Sequence, residues 1–291
     1  MEHAIEVKNL VKNYDGFSLK DVSFNLPCGT VMGFIGQNGA GKTTTIKAIL
    51  NLFKRNGGDI KIFGLDNIKD EEKIKEDISV VFDEICFHDT LNAYQLNKVF
   101  SYIYKNWSEK TYLDFIEKFE LPLKKKIKTF SRGMKMKLQI AVALSHEAKL
   151  LILDEPTSGL DPVVRIEVLD VFREYMQDES RSILISSHLT ADLEKIADYI
   201  TFIDKGKILL SESKDKILES HRIIKCGKDK VSEIKAEIIG SRITEFGAEV
   251  LVKDFANNPG ATLALGDSFI CEGAALDDIM RFYCKGGETG L

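Results

Sequence analysis

One short run, Gly36-Gln37-Asn38-Gly39-Ala40-Gly41-Lys42-Thr43, constrains this chain more than any other and fits G-x-x-x-x-G-K-[ST] without a mismatch. Ahead of it, Thr30-Val31-Met32-Gly33-Phe34-Ile35 reads as a buried strand; behind it, Thr44-Thr45-Ile46-Lys47-Ala48-Ile49-Leu50 reads as the first turns of a helix. Strand, glycine loop and helix in that order separate a phosphate-binding loop from a chance glycine-rich turn. Glycines let successive backbone N–H groups turn inward into an anion nest, and the helix N-terminus adds partial positive charge. Lys42 can then reach the β- and γ-phosphates of a nucleotide while the Thr43 hydroxyl sits on Mg²⁺. Asn38, Gly39, Gly41 and Thr44 are the other candidates for holding phosphate.

At 291 residues the chain exceeds what one core usually fills, so a large domain with a smaller companion is expected. The net charge of −5, with no strongly basic segment, argues against nucleic acid as a partner. No apolar run approaches the roughly 20 residues of a membrane span. The N-terminus passes straight into a strand-like pattern, without the apolar core of a signal peptide. The five cysteines, Cys28, Cys86, Cys226, Cys271 and Cys284, are scattered and lack C-x-x-C spacing. They read as reduced cytoplasmic thiols, not as a disulfide or zinc framework. Any work at a membrane would therefore run through a partner.

Residues 1 to about 30 alternate apolar and polar over Ile5–Leu10 and Leu19–Leu26, with Tyr14-Asp15-Gly16 as a turn, and so predict a small antiparallel sheet. Strands are also predicted at Asp59–Gly64, Ile78–Phe82, Leu150–Leu153, Ser182–Ser186 and, as a hairpin with Gly206, Tyr199–Ile203. From about residue 89 to 149 the pattern is helical, with Tyr94, Phe100, Tyr104, Tyr112, Phe115 and Phe119 expected on packing faces. Strands alternating with helices around a phosphate loop predict an α/β domain with a mixed, mostly parallel sheet. Beyond residue 220 the style changes. Strands at His221–Cys226, Arg242–Phe246 and Ala248–Val252 and a closing amphipathic helix over Ala275–Tyr283 predict a small α+β unit.

A phosphate loop alone specifies a nucleoside triphosphate and little more. The strand Leu150–Leu153 ends on Asp154-Glu155. An acid at a buried strand end can hold Mg²⁺, the Walker B role of Asp154, and Glu155 after it is placed to polarise a water for attack on the γ-phosphate. Phe130-Ser131-Arg132-Gly133-Met134 just before that strand, Ser158-Gly159-Leu160-Asp161 after it, and Ile185-Ser186-Ser187-His188 further on complete an ordered set. Over residues 1 to about 215 the chain resembles the nucleotide-binding subunits of ABC transporters, in which these stretches are the signature, the D-loop and the switch histidine. Tyr14 falls where that family stacks an aromatic on adenine.

The resemblance implies an ATPase domain over 1–215, within which the helical stretch of about 89–149 is a subdomain; the residue pattern beyond it leaves an accessory domain over 221–291. The resemblance further implies an ATP sandwich of two chains, in which Ser131 and Gly133 of one copy face the nucleotide on the phosphate loop of the other. His188 would contact the γ-phosphate, Asp161 would couple the two sites, and a polytopic permease encoded separately would hold the ATPase at the inner face of the cell membrane. The second subunit would be another copy of this chain or a related ATPase. The sequence departs from the family in three places: Asp83, itself a candidate Mg²⁺ ligand, where a glutamine is expected near the metal, Arg132 for glycine and Met134 for glutamine. These departures, with the tail Leu276–Met280 and Lys285-Gly286-Gly287, resemble ABC-2-type exporters of bacitracin, lantibiotics and cytolytic modulin peptides in Gram-positive bacteria. A soluble regulatory ATPase of the same type, acting on a partner outside the membrane, is the alternative.

Overall fold

The computed structural model describes residues 2–84, 87–253 and 268–285. Its centre is a six-stranded sheet assembled from β3 (Val31–Ile35), β6 (Ile78–Val81), β7 (Leu150–Asp154), β8 (Ser182–Ser187), β9 (Tyr199–Asp204) and β10 (Lys207–Ser213), in the order β10-β9-β3-β8-β7-β6. All pairings are parallel except the β9–β10 hairpin at one edge. Every residue of β3, β7 and β8 is buried. Such strands have to read as near-continuous apolar runs, because a parallel sheet is covered on both faces. Gly33 in β3 leaves room for the neighbouring layer: a Cβ there would stand 3.0 Å from both Ile200 Cδ1 and Leu193 Cδ1.

The N-terminal sheet is antiparallel as expected, with β1 (His3–Tyr14), β2 (Phe17–Pro27), β4 (Gly57–Ile62) and β5 (Leu65–Asp66) ordered β2-β1-β4-β5. It packs on the core through Ile5, Leu10, Leu19 and Leu26, all fully buried, and it is joined to the β9–β10 turn by Lys20 N–H donating to Gly206 O at 2.8 Å. Gly206, at φ +76°, has to be glycine, since a Cβ would lie 1.9 Å from Ser18 O. Its own N–H donates to Ala40 O at 2.9 Å, so the same turn supports the phosphate loop.

Helices follow the strands: α1 (Lys42–Ile49) after β3, α2 (Glu71–Asp77) before β6, and then α3 (Ala93–Ile103), α4 (Glu109–Lys118) and α5 (Arg132–Ala143) between β6 and β7. The α3 start carries a full capping box, with Asn92 Oδ1 accepting from Gln95 N and Gln95 Oε1 from Asn92 N. Tyr112 is fully buried and its hydroxyl donates to Ala93 O at 2.8 Å, clamping α4 to α3. Of the six aromatics expected on packing faces, Tyr94 is the exception at 43% exposed. Its ring packs under the Lys98 ammonium, 4.8 Å away, instead of in the core.

After β7 come α6 (Pro162–Tyr175) and α7 (Thr190–Ile196), which lead into β8 and β9 respectively, and α8 (Lys214–Ser220) closes this part. The remaining sheet has the order β12-β13-β11-β14, from β11 (His221–Cys226), β12 (Glu237–Thr244), β13 (Gly247–Lys253) and β14 (Ile270–Gly273), and α9 (Leu276–Lys285) follows it. This α+β unit does not stand clear of the rest. Ile223, Leu251, Leu276 and Ile279 join the main core, and Leu276 N donates to Glu194 Oε1 of α7 at 3.0 Å. Cys86 and the tail residues Gly286-Gly287 lie outside the described residues. Among the described residues no helix is long and apolar enough to cross a membrane.

Candidate functional site

The carboxyl ends of β3, β7 and β8 open on one cleft of 560 Å³, lined by Phe17, the phosphate loop, Asp83, Asp154, Glu155, Ser158 and His188. A crevice outside the carboxyl ends of parallel strands is where open α/β sheets bind ligands. Gly39 (φ +80°) and Gly41 (φ +116°) bend the loop, and α1 opens at Gly41 with no side chain capping its N-terminal N–H groups. Those groups remain available to an anion. A Cβ at Gly41 would stand 2.8 Å from Leu19 Cδ2 and 3.0 Å from Phe17 Cζ, so β2 enforces the glycine.

Lys42 is only 5% exposed. Its ammonium donates to the loop's own carbonyls, Gly36 O at 2.7 Å and Gln37 O at 3.3 Å, and faces Glu155 Oε1 at 3.0 Å. That carboxylate oxygen is buried and has no hydrogen bond beyond the ion pair. Glu155 Oε2 pairs with His188 Nδ1 at 2.7 Å. The two expected catalytic residues are therefore in direct contact, and Lys42 is held by the same carboxylate. Glu155 sits at φ +54°, a left-handed conformation that a non-glycine residue adopts at a cost of roughly 1–3 kcal/mol.

Asp154 is 3% exposed, and its Oδ1 accepts from the Ser186 hydroxyl at 2.7 Å, while Ser186 Oγ accepts from Glu155 N at 3.0 Å. One serine thus orients both acids. Asp154 and Ser186 are register partners in the β7–β8 ladder, a relation with no local signal in the sequence. Phe17, Gln37 and Ser158 are further lining residues outside the expected set.

The donor set fits a magnesium triphosphate. No group of three or more His, Cys, Asp or Glu among the described residues is arranged as a metal cage. Mg²⁺ bound with substrate phosphates needs only one or two protein carboxylates and keeps its waters. A buried ammonium beside an uncapped helix start suits the anion.

Other expected residues are placed elsewhere. Ser131 Oγ accepts from Met134 N at 3.2 Å and caps α5; Asp161 Oδ1 accepts from Val163 N and Val164 N at 3.1 Å and caps α6. Gly133 lies against Val164, 3.7 Å from a Cβ built there. Ser131, Gly133 and Asp161 do not line this chain's own cleft. Asp83 does line it, yet its Oδ1 is engaged by Arg132 Nη2 at 2.5 Å. Tyr14 is absent from the lining, and Phe17 is present. Tyr14 is 48% exposed at the β1–β2 turn, edge-on to Phe53 at 6.1 Å, with Lys12 Nζ 4.9 Å from its centroid.

The family model for ABC transporters matches residues 19–158. The lantibiotic transport ATP-binding protein SrtF of Streptococcus pyogenes is 37% identical over 215 residues, covering 72% of this chain and 91% of that protein. The chain belongs to the ATP-binding proteins of ABC transporters. The bacitracin transport ATP-binding protein BcrA of Bacillus licheniformis is 35% identical, over 72% of this chain and 69% of that protein. Among solved structures, one titled as the ATP-binding subunit of an ABC transporter superposes with a TM-score of 0.67 at 29% identity, over 74% of this chain and 92% of that one. This chain is thus an ABC-type ATPase, and the expected fold class is the one observed: a phosphate-loop α/β core with an antiparallel N-terminal sheet, a helical insertion and an added α+β unit.

Proposed function

We propose that this ABC ATPase works as one of two copies closed around two ATP molecules, and that it drives export through membrane subunits that are other chains. The observation that carries the reading is the buried Lys42 ammonium, seated on loop carbonyls and on Glu155 where a phosphate would sit. Lys42, Thr43, Thr44, Asn38, Gly39 and Gly41 would hold the phosphates, and Thr43 with Asp154 would hold Mg²⁺, which neutralises charge on the transferring phosphoryl group when bound. Glu155 would take the proton from the attacking water, and His188, hydrogen-bonded to that carboxylate, would contact the γ-phosphate and hold the water's geometry. Tyr14, half exposed at the turn, offers a ring face to adenine.

The placement of Ser131, Gly133 and Asp161 outside the cleft of their own chain favours a role toward a second subunit. Val163 and Ile166, 74% and 53% exposed on the helix that Asp161 caps, give that subunit an apolar surface to cover. Contacts that exist only while the γ-phosphate is present make the closed pair depend on ATP, so hydrolysis releases it. The same reading divides the chain into an ATPase domain over 1–215 and an accessory unit over 221–291, and places it on the inner face of the membrane through its permease. The names of SrtF and BcrA, a lantibiotic and a bacitracin transport protein, favour antimicrobial peptides as cargo; cytolytic peptides are the other class proposed.

The test is hydrolysis by the chain reconstituted with its membrane partner. Lys42→Ala is expected to lose ATP binding, and Glu155→Gln to keep binding and lose turnover by a factor of about 10²–10⁴. A Glu155→Gln protein that hydrolyses ATP at the wild-type rate would refute the assignment.

A further inference from the structure

Two of the three positions at which this chain departs from its family's motifs touch each other. Arg132 and Asp83 are 49 residues apart in sequence and lie on different elements, α5 and the loop after β6, yet Nη2 and Oδ1 are 2.5 Å apart. The guanidinium also lies over Gly159: a Cβ there would stand 3.0 Å from Arg132 Cζ and Nη1, and φ is +67°. The loop and α5 share a second bond, Gln139 Nε2 donating to Phe82 O at 3.1 Å.

Charge gives the contact its meaning. The cleft lining already carries Asp154 and Glu155 against one lysine, with His188 beside them, and Asp83 makes a third carboxylate in a site that admits a triphosphate. On its other side Asp83 faces a groove lined by Glu84, His88, Asp89, Arg132 and Lys135. Arg132 is the cation that engages it. We propose that Arg132 is a positioning residue for ATP binding: it is the counter-charge that lets an acid stand at the rim of the cleft, and through Asp83 it ties the start of α5, with Ser131 on it, to that rim. The loop beside one nucleotide and the serine offered to the other would then move as one piece. The inference rests on reading the cleft as the ATP site.

Both side chains are about half exposed, 53% and 44%, so the pair adds little to fold stability and can be removed without unfolding the chain. The test is the affinity of full-length protein for a fluorescent ATP analogue in EDTA, which prevents turnover and removes the metal. At about 50 mM salt, Arg132→Gln weakens binding roughly tenfold when residue 83 is Asp and less than twofold in the Asp83→Gln background. At about 1 M salt the two backgrounds converge. Amide exchange over 131–137 rises in Asp83→Gln, with the sequence of that segment unchanged. Equal effects of Arg132→Gln in both backgrounds, or no effect in either, overturn the proposal while leaving the ATP site intact. A wild type that binds no more tightly than Lys42→Ala overturns the reading of the cleft itself, and the proposal with it.

Discussion

Glu155→Gln should tighten ATP binding, not merely stop hydrolysis. In the structure Glu155 Oε1 faces Lys42 Nζ at 3.0 Å, and the two side chains are 12% and 6% exposed. On the proposed reading, a γ-phosphate entering the loop has to take that ammonium from the carboxylate, which would make Glu155 an internal competitor of the substrate. Removing one member of a buried ion pair costs about 3–5 kcal/mol in general. Here the glutamine amide oxygen and the carbonyls of Gly36 and Gln37 still accept from Lys42, which lowers the expected cost to about 1.5–3 kcal/mol. ATP restores the missing negative charge, so the cost in the free protein returns as affinity, roughly ten- to a hundredfold. Calorimetric titration with ATP in EDTA measures it directly, and the free variant should melt below wild type while the ATP-bound variant recovers. Equal or weaker affinity in Glu155→Gln would show that Lys42 and Glu155 are not in competition with the phosphate.

Burial holds the His146 imidazole down at about 4 from its ordinary 6.5, in a pocket where Nε2 meets Ser79 Oγ at 2.6 Å and Tyr104 stacks at 3.9 Å. The unfolded chain binds the extra proton first, so stability is full above about pH 6.5 and falls toward pH 4 by at most about 3 kcal/mol. Urea midpoints across that window should show the slope in wild type and a flatter one in His146→Gln. Tyr112→Phe removes the buried hydroxyl that donates to Ala93 O and should cost about 1 kcal/mol in the same assay, without changing ATP affinity. Gly41→Ala meets both φ +116° and a 2.8 Å approach to Leu19, so ATP titration should show it binding far more weakly than wild type in a protein that still folds.

What could be read in the sequence was whatever is local. The phosphate loop, the apolar runs of β3, β7 and β8, and the acids ending β7 each announce themselves within a few residues. Strand order was not legible, because β3 lies between β8 and β9 only through long crossovers. The same limit hid Ser186 as the partner of Asp154 and Arg132 as the partner of Asp83. The strand β14 was missed for a different reason: its four residues are all exposed, so no apolar alternation marks it. The strand expected from Arg242 begins at Glu237, where a register shift between Ile238 and Gly240 breaks the period of two.

In the proposed function a second subunit completes the site, so ATP has to change the mass of the protein. Sedimentation equilibrium of Glu155→Gln, with and without ATP, tests it most directly. A monomer is expected without nucleotide and a doubled mass with ATP, lost again when Lys42→Ala is added. A Glu155→Gln protein that binds ATP yet remains monomeric at saturating nucleotide would contradict it.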